Sequence, residues 1–192
     1  MNVIESILIL SGASLDIFAA MTCQGSLVLK VNKKHLALVC LIVAGLQILA
    51  FLPAYALAAH YCSLYPSRGR WQPELFLAIL ILLALGGHML FLGIRNKFVE
   101  EHLVREFKAS VYARIAVGTC LYALLAGLVF GFGQSLLIVL LPELALLSCL
   151  AVICGMYTGH HFGFAPKTGA YFAGAILQWI AAARIFLKLW TA

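Results

Sequence analysis

The sequence predicts an all-α membrane protein with six transmembrane helices. Of its 192 residues, 64% are hydrophobic and only 10% are charged, whereas soluble domains average about 45–50% apolar and about 25% charged residues. A helix needs about 20 apolar residues to cross a bilayer, and it pairs all its own backbone groups there. Six segments meet this requirement, at residues 4–29, 35–59, 74–94, 112–132, 136–158 and 168–189.

The basic residues predict how these helices are oriented. Eight of the thirteen Lys and Arg residues fall in the first, third and fifth connections. Cytoplasmic loops carry the excess of Lys and Arg, so we expect these connections in the cytoplasm and both termini outside, in the plasma (inner) membrane. Because no basic cluster forms a soluble face, the expected partner is the lipid bilayer and not a nucleic acid.

The charged segment 96–111 divides the chain into two halves, residues 1–95 and 112–192. We expect this segment to be a cytoplasmic linker, either solvated or a short amphipathic helix. Each half contains three predicted helices. Since each half crosses the membrane an odd number of times, two halves of the same fold must be inserted in opposite senses. The sequence therefore predicts two inverted three-helix repeats.

Small residues recur at the spacing that lets helices approach closely. Gly127 and Gly131 form one GxxxG pair, and Gly155, Gly159 and Gly163 continue the pattern in the fifth segment. We expect these glycines to pack helices within the chain, with a homodimer as the alternative use. The six cysteines are scattered without a CxxC pair, which predicts packing residues and neither disulfides nor a zinc site.

Asp16 is the only acidic residue near the middle of a predicted span. A charged Asp at a helix centre costs about 2.5–3.5 kcal/mol, so we expect it to face the protein interior. There it would be protonated and hydrogen-bonded, be paired, or bind a cation. By contrast, Glu74 and Glu143 lie near helix ends and are expected to be solvated. Polar side chains at the depth of Asp16 are Gln47, His88, Thr119, Cys120, Tyr122 and Gln178.

Three stretches of the sequence carry a pattern that extends over most of the chain. GASLDIFAA at 12–20 is similar to the motif G-x-S-x-D-A-F-A, and LGGHMLFLGIR at 85–95 is similar to L-G-G-[KR]-M-I-x-E-G-x-R. The glycines of 155–163, followed by Ala173 and Gly174, resemble a glycine-rich fifth span and the start of a sixth. Together these motifs resemble the MntP-type manganese efflux family of the LysE-like superfamily.

The resemblance implies a secondary exporter that binds Mn²⁺ between inverted repeats. Asp16 matches the aspartate of the first repeat, and Gln47 matches the Glu or Gln of the second span. The chain departs from the pattern at three charged positions. Tyr122 stands where the second repeat has aspartate, Leu92 replaces a glutamate, and His88 replaces Lys or Arg.

These residues define the predicted metal site and the predicted function. Mn²⁺ prefers carboxylate, carbonyl and water oxygens, and the candidate ligands are Asp16, Gln47, Tyr122, Thr119 and Ser14. Ser14 lies two positions from Asp16 and so on another helix face, which means that neighbouring helices must complete the site. We predict export of a divalent cation by alternating access, with Mn²⁺ as transported substrate and no resident cofactor. Proton antiport through Asp16 would be compatible with this function.

Other classes of function fit the sequence less well. The missing carboxylates also allow a degenerate, non-transporting membrane subunit or regulator of the same fold. Amino-acid export, suggested by the superfamily, finds no paired-charge site for a zwitterion. An enzyme is not expected, because the sequence has no nucleophile–base pair, phosphate-binding loop or cofactor motif.

Overall fold

The computed structural model describes residues 3–28, 33–64, 73–95 and 109–191, which are helical apart from a few connecting residues. All six helices are long and apolar enough to cross a membrane, so the predicted all-α membrane fold with six spans is confirmed. The helices are α1 (Val3–Leu27), α2 (Lys33–Leu64), α3 (Pro73–Ile94), α4 (Ala109–Phe132), α5 (Leu137–Phe162) and α6 (Ala165–Thr191).

Two helices continue further than the apolar segments predict. α2 runs on to Leu64, and α5 ends only at Phe162. Helical hydrogen bonding does not stop where side chains become polar, so polarity alone places these ends too early. At Gly163 the backbone φ is 65° and its N–H bonds to the Gly159 carbonyl at 2.9 Å. A positive φ favours glycine, which explains the stop at this residue.

The helices of each half pack mainly against helices of the other half. α1 packs against α5 and α6, α2 against α4 and α5, and α3 against α6. Within the described ranges, helices that follow one another in the same half barely contact each other, whereas α3 and α4, which follow one another across the two halves, do meet. The core therefore lies between the two halves, which interlock. Of the predicted linker, residues 96–108 lie outside the described residues, and with them the predicted amphipathic helix.

α1 and α5 run parallel in a constant register. Three contacts along their length join residues that are 137 positions apart. They are Ser6 with Glu143, Phe18 with Gly155, and Thr22 with Gly159. Contacts between α2 and α4 keep a similarly constant offset, from Gln47 with Thr119 to Tyr55 with Gly127. Parallel pairs of this kind require both helices to cross the membrane in the same direction. This agrees with the order of the spans, because α1 and α5 are both odd-numbered, α2 and α4 are both even-numbered, and successive spans alternate in direction.

The glycines of α4 and α5 make these parallel contacts close. A Cβ atom on Gly155 would lie 2.8 Å from the Phe18 carbonyl oxygen, and one on Gly159 would overlap the Thr22 backbone. A Cβ atom added to Gly127 or Gly131 would likewise overlap the backbone of α2. The predicted use of these four glycines within the chain is confirmed, as expected where lipid supplies no hydrophobic drive for helix association. For Gly163 the prediction is wrong: a Cβ atom there would meet no described residue within 4 Å, because this glycine ends α5 and does not pack against another helix.

The pattern of packed helices is compatible with two related halves. Exchanging α1 with α4, α2 with α5 and α3 with α6 turns the α1–α5 pair into the α2–α4 pair and leaves α3–α6 in place. The exchange is imperfect, because α1 packs against α6 more extensively than α4 packs against α3. The inverted repeat stays a prediction.

Candidate cation site

Asp16 lies inside the bundle, halfway along α1. Its side chain is 6% exposed, which confirms the prediction that it faces the interior. The phenols of Tyr122 on α4 and Tyr171 on α6 lie within electrostatic range of its carboxylate. Three helices from both halves therefore meet at this acid, at the level where neither membrane surface is near.

Tyr122 is hydrogen-bonded to His88 of α3. The phenol oxygen and the imidazole Nδ1 are 2.6 Å apart, and the two rings are tilted with centroids 5.9 Å apart. Tyr122 is buried while His88 reaches the surface of the bundle. Both residues depart from the motifs that the sequence resembles. The structure shows that these two departures are in contact through a phenol–imidazole hydrogen bond.

Gln47 and Thr119 form a second polar pair, between α2 and α4. The Gln47 Nε2 donates to the Thr119 hydroxyl oxygen at 3.0 Å, and that hydroxyl donates to the Ala116 carbonyl at 2.9 Å. Both side chains are buried. Because Thr119 and Tyr122 are three residues apart on α4, this pair lies about one helical turn from the phenol.

Ser14 is engaged with its own helix. Its hydroxyl donates to the Ser11 carbonyl at 2.8 Å. Of the five predicted ligands, the structure thus joins Gln47 to Thr119 and brings Tyr122 near Asp16. That these five residues bind a metal ion stays a prediction.

Sequence reasoning missed the contribution of α6 to this region. Tyr171 lies near both Asp16 and Cys23, and Cys23 in turn lies beside Lys167. Tyr171 follows Lys167 by four residues and precedes Gln178 by seven, which places all three on one face of a helix. That spacing was the available signal, but it did not reveal that the face meets α1.

The acidic residues near the helix ends correct an expectation. Glu74 is only 9% exposed and lies near Cys62 of α2, so the predicted solvated position is wrong. Glu143 is half-buried and accepts a hydrogen bond from the Ser6 hydroxyl at 3.4 Å. The reason is that each acid lies on the side of its helix that faces a neighbouring helix, α2 for Glu74 and α1 for Glu143, which hydropathy along the chain cannot reveal.

The region around Asp16 offers one carboxylate and several neutral donors. Among the residues that the structure describes, no three His, Cys, Asp or Glu side chains lie close enough to hold a metal ion together. A cation at Asp16 would therefore take its other ligands from hydroxyl, phenol, amide and backbone oxygens. Such a donor set suits a hard cation better than a soft one.

Comparison with known proteins places this chain in a family. The family described as "Putative manganese efflux pump" matches residues 30–186. Proteins named "Putative manganese efflux pump MntP 2", from the Hall and Langeland strains of Clostridium botulinum, are each 22% identical to it over 197 aligned positions. These alignments cover 98% of this chain and 96% of each relative. No solved structure matches the chain at comparable stringency. Because the family match extends over most of the sequence, this six-helix chain belongs to the MntP family of manganese efflux pumps.

Proposed function

We propose that this protein exports divalent metal cations, with Mn²⁺ as the main substrate, by alternating access around Asp16. The observation that carries the proposal is the buried position of this carboxylate at mid-membrane, where helices of both halves meet. An acid held there costs several kcal/mol unless a positive partner or a proton offsets its charge. The membership of the chain in a family described as manganese efflux pumps supports Mn²⁺ as that partner.

In this proposal Asp16 is the primary ligand and neutral oxygens complete the shell. Tyr122 is the first candidate, because its phenol lies within electrostatic range of Asp16, and Gln47, Thr119 and Ser14 are the supporting ones. Each hydroxyl keeps acceptor lone pairs after donating its hydrogen, so the bonds of Ser14 and Thr119 leave them able to bind a cation. Mn²⁺ is the transported substrate, and the protein needs no resident cofactor and catalyses no chemical reaction.

The experiment that tests this function is growth in excess manganese. Expression in a manganese-sensitive host lacking its own exporter should restore growth, and Asp16→Asn should abolish the rescue while leaving membrane expression unchanged. Glu143→Gln is the matched control, since it neutralises a half-buried acid near a helix end and should keep the rescue. Rescue that persists in the Asp16→Asn variant would remove Asp16 from the mechanism.

The orientation is proposed from the distribution of Lys and Arg. We place both termini outside and the odd-numbered connections in the cytoplasm of a cell whose plasma membrane holds the protein. An alkaline phosphatase fused to the carboxyl end should be active, and a green fluorescent protein fused at the same position should be dark. The opposite pair of signals would reverse the orientation.

A non-transporting subunit or regulator is the second candidate. It is favoured by the lack of any metal-binding trio of His, Cys, Asp or Glu among the described residues. Purified protein in proteoliposomes separates the two functions. Saturable Mn²⁺ flux that depends on Asp16 supports the exporter, whereas binding or stability without flux supports the subunit.

A further inference from the structure

Gln178 on α6 carries a buried oxygen atom that finds no hydrogen-bond partner in the described part of the chain. The side chain is 0% exposed, and its Nε2 donates to the Ile9 carbonyl of α1 at 3.2 Å. Its Oε1 is enclosed without a hydrogen-bond donor among the described residues. Leaving a buried acceptor unpaired costs its desolvation free energy, and native structures rarely do so without a reason. The atom therefore points to a donor or a cation that binds there.

The amide of Gln178 lies against the same face of α1 as Asp16. A Cβ atom on Gly12 would be 2.9 Å from the Gln178 Nε2 and 3.1 Å from its Cδ, so the amide fills the space that this glycine leaves. Gly12 and Asp16 are four residues apart, hence on one face and about 6 Å apart along the axis. Helical side chains lean toward the amino end, which carries the Asp16 carboxylate back over the turn that holds Gly12.

The part of α6 between Gln178 and the level of Asp16 bears small side chains. Because α1 and α6 are antiparallel, the residues nearer to Asp16 come before Gln178 in the chain: Gly174 and Ala175 follow first, and then Tyr171, which lies within electrostatic range of Asp16. A Cβ atom on Gly174 would be 3.3 Å from the Gly12 carbonyl oxygen and 2.6 Å from the Met89 sulfur. The two helices therefore approach closely, and a thioether from α3 forms the third wall.

We propose that the Gln178 Oε1 is a second protein ligand of the cation held by Asp16, an inference that rests on the proposed function. An amide oxygen is a hard, neutral donor of the kind that Mn²⁺ accepts. It adds a ligand without adding charge, in a chain where tyrosine and leucine stand in place of two family carboxylates. The hydrogen bond from Nε2 to Ile9 fixes the amide so that its oxygen is the end left free.

The test is Mn²⁺ binding to purified full-length protein in detergent, measured from the loss of the free-ion electron paramagnetic resonance signal. Gln178→Met keeps the size of the side chain and replaces the oxygen by a soft thioether. We expect the Mn²⁺ dissociation constant to rise at least ~10-fold, while Cd²⁺, which accepts sulfur, binds as tightly as to the parent protein. Ser148→Ala is the matched control, because Ser148 is also buried with an unpartnered oxygen but lies on α5.

The outcomes separate this inference from the proposed function. Absence of Mn²⁺ binding in the parent protein contradicts the function itself. Tight Mn²⁺ binding in the parent that is unchanged in Gln178→Met overturns only the role of Gln178. If thermal unfolding shows that Gln178→Met is not folded, Gln178→Glu decides: it keeps an oxygen and adds a charge, so tighter Mn²⁺ binding supports the ligand and equal or weaker binding overturns it.

Discussion

The contact between His88 and Tyr122 affects the charge around Asp16, because Tyr122 lies within electrostatic range of that carboxylate. The motifs that the sequence resembles have an acid at the position of Tyr122 and a Lys or Arg at the position of His88. A phenol in place of that acid means one negative charge fewer near Asp16, and without that charge the basic side chain would have nothing to balance. A 2.6 Å hydrogen bond joins the two side chains. We therefore predict that the two substitutions compensate each other.

Restoring the family residues tests this compensation. Tyr122→Asp alone should lower the thermal stability, because a second carboxylate is placed beside Asp16. His88→Arg alone should also lower it, because the hydrogen bond to the phenol is lost. In the double variant the new charges pair, and we expect a favourable coupling energy of about 1–3 kcal/mol. A double-mutant cycle of unfolding in detergent measures it.

Strict additivity of the two single effects would contradict the idea that these residues form a unit. Mn²⁺ binding of the double variant provides a second readout. It should be tighter than that of the parent protein, since the double variant restores one carboxylate near Asp16.

The burial of Asp16 could be predicted, and its surroundings could not. The cost of exposing a charge to lipid depends only on where the residue lies in a span, so one sequence suffices to place Asp16 inside. The approach of Tyr171 and the unpaired oxygen of Gln178 depend on α6 lying antiparallel against α1. That pairing follows from the packing of all six helices.

At the level of the helices, glycine decides which pairs come into close contact. α1 with α5 and α2 with α4 are parallel pairs, and in each the GxxxG glycines belong to the helix of the second half, while Gly25 of α1 also meets the Met156 backbone of α5. The spacing of these glycines was readable from the sequence. Their partners were not, because a GxxxG face fits a neighbour in the same chain as well as a second copy of it.

A methyl group at one of these contacts tests the close approach. Gly155→Ala brings a Cβ atom to 2.8 Å from the Phe18 carbonyl oxygen, and overpacking of this kind costs about 1–3 kcal/mol. We expect a lower unfolding temperature in detergent. Gly45→Ala is the control, since a Cβ atom there meets nothing within 4 Å. Alanine favours helix over glycine, so the control should keep or raise the stability; a loss equal to that of Gly155→Ala would contradict the packing explanation.

For the molecule as a whole, the two halves interlock and should not fold separately. Each helix of the first half has its main contacts in the second half, so a lone half would leave its glycine faces and Asp16 without partners. The four close-packed glycines are used within the chain, so the predicted homodimer would need a different face. It stays a prediction.

Separate expression of the halves tests the interlocking. We expect residues 1–95 alone to aggregate or be degraded, and co-expression with residues 96–192 to give a complex that co-purifies through a tag on either piece. Size-exclusion chromatography in detergent is the measurement. A first half that is monodisperse and helical by itself would show that the interlocked contacts are dispensable.

The sequence by itself determined the membrane class, the six spans, the family and the interior position of Asp16, because each follows from local hydropathy, charge or motif. The tertiary structure decided which helices pair across the two halves. It thereby joined Gln47 to Thr119 and His88 to Tyr122, enclosed Glu74, and brought Gln178 to Gly12. These facts depend on close contacts between distant segments, and in a membrane such contacts come from shape and hydrogen bonding, which a pattern along one chain does not encode.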